Sequence, residues 1–149
     1  MPEESHKWTR EECKFLELLE EQCNVYERYH NKNHEYYNVL SRRFNIPILL
    51  ISAINSLTAV ILQSFIPQEY VSIINATASA GTGVLGSIQL YLKLNEKMTI
   101  SLKSAMVFKA IAVKISKELT LDENERSQSG SAFLADRFSE FNAAIEQSG

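Results

Sequence analysis

The closest approach to a metal-binding pattern in this sequence is His30-Asn31-Lys32-Asn33-His34, two imidazoles one helical turn apart with Glu27 and Glu35 nearby. Histidines at i and i+4 on one helix face can share a Zn ion. The order H-E-x-x-H is absent, and no His or Cys lies between Lys93 and Leu119 to complete a tetrahedron from a returning arm. The pair is therefore read as a polar point in a helical seam that fixes register, or as solvent-facing. Cys13 and Cys23 are ten residues apart, about 15 Å along a helix axis, too far to bridge. Neither belongs to a C-x-x-C motif, and in a cytosolic arm both are expected to be reduced. Gly81-Thr82-Gly83 with Gly86 matches G-x-G-x-x-G, but inside an apolar segment with no strand before it, so it reads as a small-residue helix. Neither a Ser-His-Asp pattern nor a P-loop is present. No enzymatic activity and no cofactor are expected.

The informative polar residues lie in the least charged part of the chain. Ser72, Asn75, Ser79, Thr82, Gly86 and Gln89 recur at a 3-4 spacing, with Gly83 beside them, and form one narrow stripe on a helix. A partial counterpart stands upstream in Asn45, Ser52, Asn55, Ser56, Ala59 and Gln63. In lipid, small residues permit close backbone approach and amides or hydroxyls hydrogen-bond across helices, for about 0.6–2 kcal/mol per bond. Ser79, Gly83 and Ser87 have the small-xxx-small spacing of such a contact. Helix association is preferred here over a water-lined pore, because no charged side chain marks an ion path.

Those stripes are positioned by two apolar segments. Between Phe44 and Leu92 the one formally charged side chain is Glu69. The break at Ile66-Pro67-Gln68-Glu69 predicts a first span over 44–65, a turn over 66–69 and a second span over 70–92. Each is long enough, since about 20 helical residues at 1.5 Å rise cross a hydrocarbon core roughly 30 Å thick. The first is rich in Ile and Leu; the second, SIINATASAGTGVLGSIQL, is less apolar and is expected to insert as the second half of a hairpin. A buried helix pair in a soluble protein is the competing reading, and the flanks argue against it. Arg42 and Arg43 precede the first span, Lys93, Lys97 and Lys103 follow the second, and the turn carries neither Lys nor Arg. That is the positive-inside pattern, with both termini cytosolic. Phe44, Phe65, Tyr70 and Tyr91 fall at the span ends, where interfacial aromatics sit. The first forty residues are polar and highly charged, so no signal peptide is expected.

The arms on either side read as helices. Thr9 as N-cap, Glu12 three residues on and Trp8 as the preceding hydrophobe predict a helix start. A seam then runs Leu16, Leu19, Cys23, Tyr26, His30, Asn33, Tyr37, Leu40, Phe44, with no helix breaker before Pro47. A cytosolic helix over 9–43 should continue into the bilayer as one rod, kinked or loosened near Pro47. The return helix over 93–119 carries Tyr91, Leu94, Met98, Ser101, Ala105, Phe108, Ala112, Ile115 and Leu119 on its own seam. Its lysines face an outgoing arm rich in Glu, which favours antiparallel pairing into a coiled-coil stalk. After a polar break at 122–130, in which Thr120 and Glu123 could cap a short helix, residues 131–147 place Leu134, Phe138, Phe141 and Ile145 on one sticky face. This C-terminal helix should fold back on the stalk.

The composition agrees with one all-α domain of 149 residues, too short for a multi-domain enzyme. A net charge of -3 leaves no basic face for a nucleic-acid backbone. Five Gly and three Pro exclude a collagen-like or low-complexity chain. Tyr29-His30 to Arg42-Arg43, then Phe44-Asn45-Ile46-Pro47, Ser52 to Leu57, the hairpin and the closing IAVKISKELTL of Ile111 to Leu121 resemble the SLATT-type two-transmembrane proteins. These occur as bacterial conflict-system effectors, with similar proteins in large nucleocytoplasmic DNA viruses. Short tails with no fused partner domain look more like the viral versions. For an effector the resemblance implies an oligomeric membrane protein that forms pores. For a viral member it implies a component of the virion's internal membrane, facing a capsid or other virion protein. It carries over no catalytic residue.

Overall fold

The structure is a computed structural model that describes residues 8–61 and 65–148. Its helices are α1 (Arg10–Ile61), α2 (Gln68–Tyr91), α3 (Leu94–Thr120) and α4 (Gly130–Ser148), and the described residues are all-α.

α1 opens on the predicted capping box. The Thr9 amide donates to Glu12 Oε2 at 2.7 Å and the Glu12 amide to Thr9 Oγ1 at 3.2 Å, so two donors with no intrahelical partner are satisfied reciprocally. The helix then continues for 52 residues with Pro47 inside it. A proline there removes one backbone bond and loosens the helix without ending it. Residues 62–64, which close the expected first span, lie outside the described residues. α2 begins after Pro67, whose φ of -52° suits a helix entrance, and the Tyr70 amide donates to the Pro67 carbonyl at 3.1 Å.

The returning half of the chain is two helices, α2 and α3, divided where the expected second span gives way to the return helix. It breaks between α2 and α3 at Lys93, which has φ 50°. The Lys93 amide donates to the Leu90 carbonyl at 3.0 Å, the short bond of a tightened helix end. A lysine in the left-handed region costs roughly 1–2 kcal/mol more than in an ordinary helix, and nothing in its side chain announces the break.

The chain divides into two compact units. One combines the α1 residues up to His34 with those from Thr99 onward; the other is Glu35–Met98. In the first, α1, α3 and α4 enclose a core of Leu16, Leu19 and Cys23, Phe108, Ile111, Ala112 and Ile115, and Phe133, Phe141 and Ala144, closed by Trp8. Trp8 on Phe133, Phe15 on Phe138 and Tyr26 on Phe141 advance together, so α4 runs parallel to α1. Phe108 and Lys114 of α3 meet Phe141 and Glu140 in the reverse sense, so α3 is antiparallel to both.

Two details differ from the sequence-based expectation. The ion pairing between Glu-rich and Lys-rich arms reduces, among the described residues of this unit, to Glu27 with Lys109 at 3.8 Å; Lys114 turns instead to Glu140 of α4 at 3.2 Å. The short helix capped by Thr120 does not form, because the Thr120 hydroxyl donates to the Lys117 carbonyl at 2.8 Å and closes α3. The linker is held by the Glu118 carboxylate, which accepts the Ser127 amide at 3.2 Å.

The docking face of α4 is rotated from the expected one. Phe141 is buried and Leu134 and Ile145 pack against the core, but Phe138 is 44% exposed and Phe133 and Ala144 take inner positions. The rotation is set at the start of α4. Trp8 Nε1 donates to the Gln128 carbonyl at 3.0 Å, the Arg126 guanidinium lies 4.5 Å over its ring, and Phe133 stacks on it at 5.3 Å. Gly130 makes this approach possible: a Cβ there would fall 2.5 Å from Glu12 Oε2 and 3.1 Å from Trp8 Cδ1.

Candidate functional site

The candidate site is the surface and internal seam of the unit formed by Glu35–Met98. Its outward side chains on α1 are Ile46, Leu49, Leu50, Ile54, Leu57, Val60 and Ile61, and on α2 Ile73, Ile74, Val84, Ile88 and Leu90, all exposed. A soluble chain of this size rarely leaves so continuous an apolar surface in water. Among the described residues α1 is the one helix long and apolar enough to cross a membrane, and its most apolar stretch has no buried residue. The two spans expected from the sequence are thus met by one. Asn75, Gln89 and the run of Ser, Thr and Gly lower the hydropathy of α2.

The structure divides the polar stripe of α2 into two faces. Val71 is buried, and Asn75, Ala78, Thr82, Leu85 and Gln89 follow it at a strict 4-3 spacing, each half-buried. Ser72, Ser79, Gly83 and Ser87 are exposed, and a Cβ on Gly83 or Gly86 would meet nothing within 4 Å. On α1 the half-buried members are Phe44, Pro47, Ile48, Ile51, Asn55, Thr58 and Ala59, while Ser52 and Ser56 face outward. Four of the hydroxyls need no partner helix. Thr77 donates to the Ile73 carbonyl at 2.9 Å, Thr82 to Ser79 at 3.0 Å, Ser87 to Gly83 at 2.8 Å and Ser56 to Ser52 at 2.9 Å. Each turns its polarity back on its own backbone, which makes the face far less polar than its sequence.

The amides are arranged differently. Ser41, buried, donates to Asn95 Oδ1 at 3.3 Å and accepts from Asn45 Nδ2 at 3.2 Å and Gln89 Nε2 at 3.5 Å. This network ties α1, α2 and the first turn of α3 together. Two heptads further along each helix stand Asn55 and Asn75, about 21 Å away at 1.5 Å per residue. Both have a buried Oδ1 with no hydrogen-bond partner. Equal offsets from the Ser41–Gln89 contact put the two amides at one level of the helix pair. An unpartnered buried carbonyl costs about 1–3 kcal/mol, which a hydrogen-bonding neighbour would recover.

The remaining candidates sit elsewhere. Tyr37, Leu40 and Met98 are half-buried in this unit, with the Lys97 ammonium 5.8 Å over the Tyr37 ring. Leu16, Leu19, Cys23, Phe108 and Ile115 are buried in the helical bundle, and Tyr26 and Leu119 pack against it. Burial, with the negative charge of Glu20 adding to it, pushes the Cys23 thiol up to about 11, so it is a small protonated core group. His30 is also part of the bundle, 5% exposed, its ring stacked on Phe108 at 5.6 Å and edge-on to Tyr29 at 5.2 Å. Among the described residues no group of three or more His, Cys, Asp and Glu could hold a metal ion.

Burial lowers the His30 pKa, because a charged imidazole loses its hydration there. A base with a depressed folded pKa binds protons more readily unfolded, so its contribution is present above the ordinary value of about 6.5 and is lost as pH falls below it. Urea midpoints read from Trp8 fluorescence should therefore drop between pH 7.5 and 5.5, and the drop should shrink in His30→Asn. An equal drop in that variant would assign it to other groups.

Comparison with family models, with curated proteins and with solved structures finds no match to this chain, so its reading rests on its own residues.

Proposed function

We propose that this chain is a non-enzymatic, self-associating integral membrane protein whose apolar segments cross the bilayer as a two-helix hairpin. The helical bundle and both ends of the chain then lie on the cytosolic side. The observation that carries this reading is the unburied apolar run of α1, which in water would have to find another cover. α2 returns beside it, the hydroxyls of Thr77, Thr82 and Ser87 bonded to its own backbone and its Asn75 and Gln89 half-buried. The cations at Arg42, Arg43, Lys93, Lys97 and Lys103 support this orientation. The open face of Ser79, Gly83 and Ser87 supports close contact with a neighbouring hairpin.

The SLATT-like resemblance extends the proposal to a structural component of a viral internal membrane that presents its bundle to a partner such as the capsid. The unpartnered amides of Asn55 and Asn75 favour a second reading, a pore-forming effector in which these groups meet water once several hairpins assemble.

Expression in microsomes tests the proposal. The protein should stay with the membranes in alkaline carbonate, and protease added outside sealed vesicles should remove epitopes at both Trp8 and Phe141. Release by carbonate overturns the membrane reading, and protection of either epitope overturns the topology. Conductance in planar bilayers that disappears in Asn75→Leu, with oligomers intact, would select the pore.

A further inference from the structure

The bundle uses one face of α1, that of Leu16, Leu19, Cys23 and His30. Beside it runs a second apolar line that stays exposed among the described residues. Phe15 is 45% exposed, Leu18 53%, Val25 46% and Tyr29 58%, and together with Gln22 they recur at alternating 3- and 4-residue steps. Phe15 meets the exposed Phe138 of α4 at 6.2 Å, which widens the line into a ridge. Such spacing is that of a coiled-coil seam, with Phe15, Gln22 and Tyr29 at a positions and Leu18 and Val25 at d.

The flanking charges select the occupant. In that heptad the g positions are Lys14, Glu21 and Arg28, with Glu35 next in α1, so the sign alternates at every seventh residue. All are exposed, and the Arg28 contact within the chain is Nε donating to the Asn24 carbonyl at 3.2 Å. In an antiparallel pair of helices g residues face g residues. With a two-fold axis near Asn24, Glu21 faces Arg28 of the second copy and Lys14 faces Glu35, opposite in sign throughout. Sliding by one heptad juxtaposes Glu21 with Glu21 or Arg28 with Arg28. A parallel pair would set these charges against e positions, and those are Leu19 and Tyr26, uncharged and engaged in the bundle. We propose that this seam of α1 binds the same seam of a second copy of the chain in antiparallel orientation, Leu18 meeting Tyr29 and Gln22 meeting Val25.

The inference concerns the bundle and stands whether or not the apolar segments enter a bilayer.

Charge exchange tests this with the full chain in detergent micelles, by sedimentation. E21R and R28E should each weaken self-association on the order of tenfold, since two attractive contacts per dimer become repulsive. The double variant E21R/R28E, and an equimolar mixture of the two single variants, should restore it. Unchanged Trp8 emission checks that the bundle is intact. Single variants that associate like the wild type, or a mixture that fails to recover, overturn the proposal. Release by alkaline carbonate would overturn the membrane reading alone and leave this result standing.

Discussion

Replacing Phe108 by Ala should lower the stability of the helical bundle by about 3–5 kcal/mol, the usual loss for truncating a fully buried Phe. Phe108 is fully buried and touches all sides of the core: it stacks on Tyr26 at 5.0 Å, on His30 at 5.6 Å and meets Phe141 edge-on at 5.8 Å. Two of these rings belong to α1 and one to α4, so one truncation opens a cavity at the meeting of three helices and forfeits aromatic contacts worth about 0.5–1.5 kcal/mol each. The chain has one tryptophan, and Trp8 is itself buried in this bundle, so its fluorescence in a urea titration reads the transition directly. Phe138→Ala should cost well under half as much, because that ring is 44% exposed and rests on the bundle's rim. Equal losses at the two positions would mean that α4 docks through the face its own periodicity suggests.

Replacing Leu50 and Leu57 together by Arg should release the protein from membranes. Both are exposed on α1 within the apolar run. Moving from Leu to Arg near the centre of a spanning helix shifts insertion by about 3–4 kcal/mol, so the pair costs more than the segment's remaining apolar residues recover. Carbonate extraction of the double variant should leave it in the supernatant with Trp8 emission unchanged. Glu17→Arg, an exposed change of charge in the bundle, should leave extraction as in the wild type. A double variant that still resists carbonate would show that this face of α1 does not meet lipid.

Helical content, the start of α1 and the break near Pro67 were legible in the sequence because each depends on residues adjacent in the chain. The Thr9–Glu12 box needs a spacing of three, and the apolar run needs only the absence of charge. The inner seam of α1 was legible for the same reason, as Leu16, Leu19 and Cys23 repeat over several turns. The outer seam has the same spacing. Its signal was there in Phe15, Leu18, Val25 and Tyr29 and in the alternating charges at Lys14, Glu21 and Arg28, but a helix with two apolar lines does not say which one its own chain will cover.

What the sequence alone determined, then, is where helices form and which stretch avoids charge, since hydrogen bonding along a helix and hydropathy along a segment are local. The tertiary structure decided which faces meet. The apolar arc of α4 includes Phe133, Leu134, Phe138, Phe141 and Ile145, and any part of it could turn inward. The choice followed from Trp8, 120 residues away from the carbonyl it bonds, and from a glycine small enough to let α4 begin against Glu12. The left-handed Lys93 and the turn of Lys114 toward Glu140 are of the same kind. A backbone conformation costing roughly 1–2 kcal/mol and an exposed ion pair worth less than about 1 are too weak to be specified by the residues that carry them; for Lys114 the larger energy of burying Phe108, Phe133 and Phe141 between the helices of its bundle settles the partner.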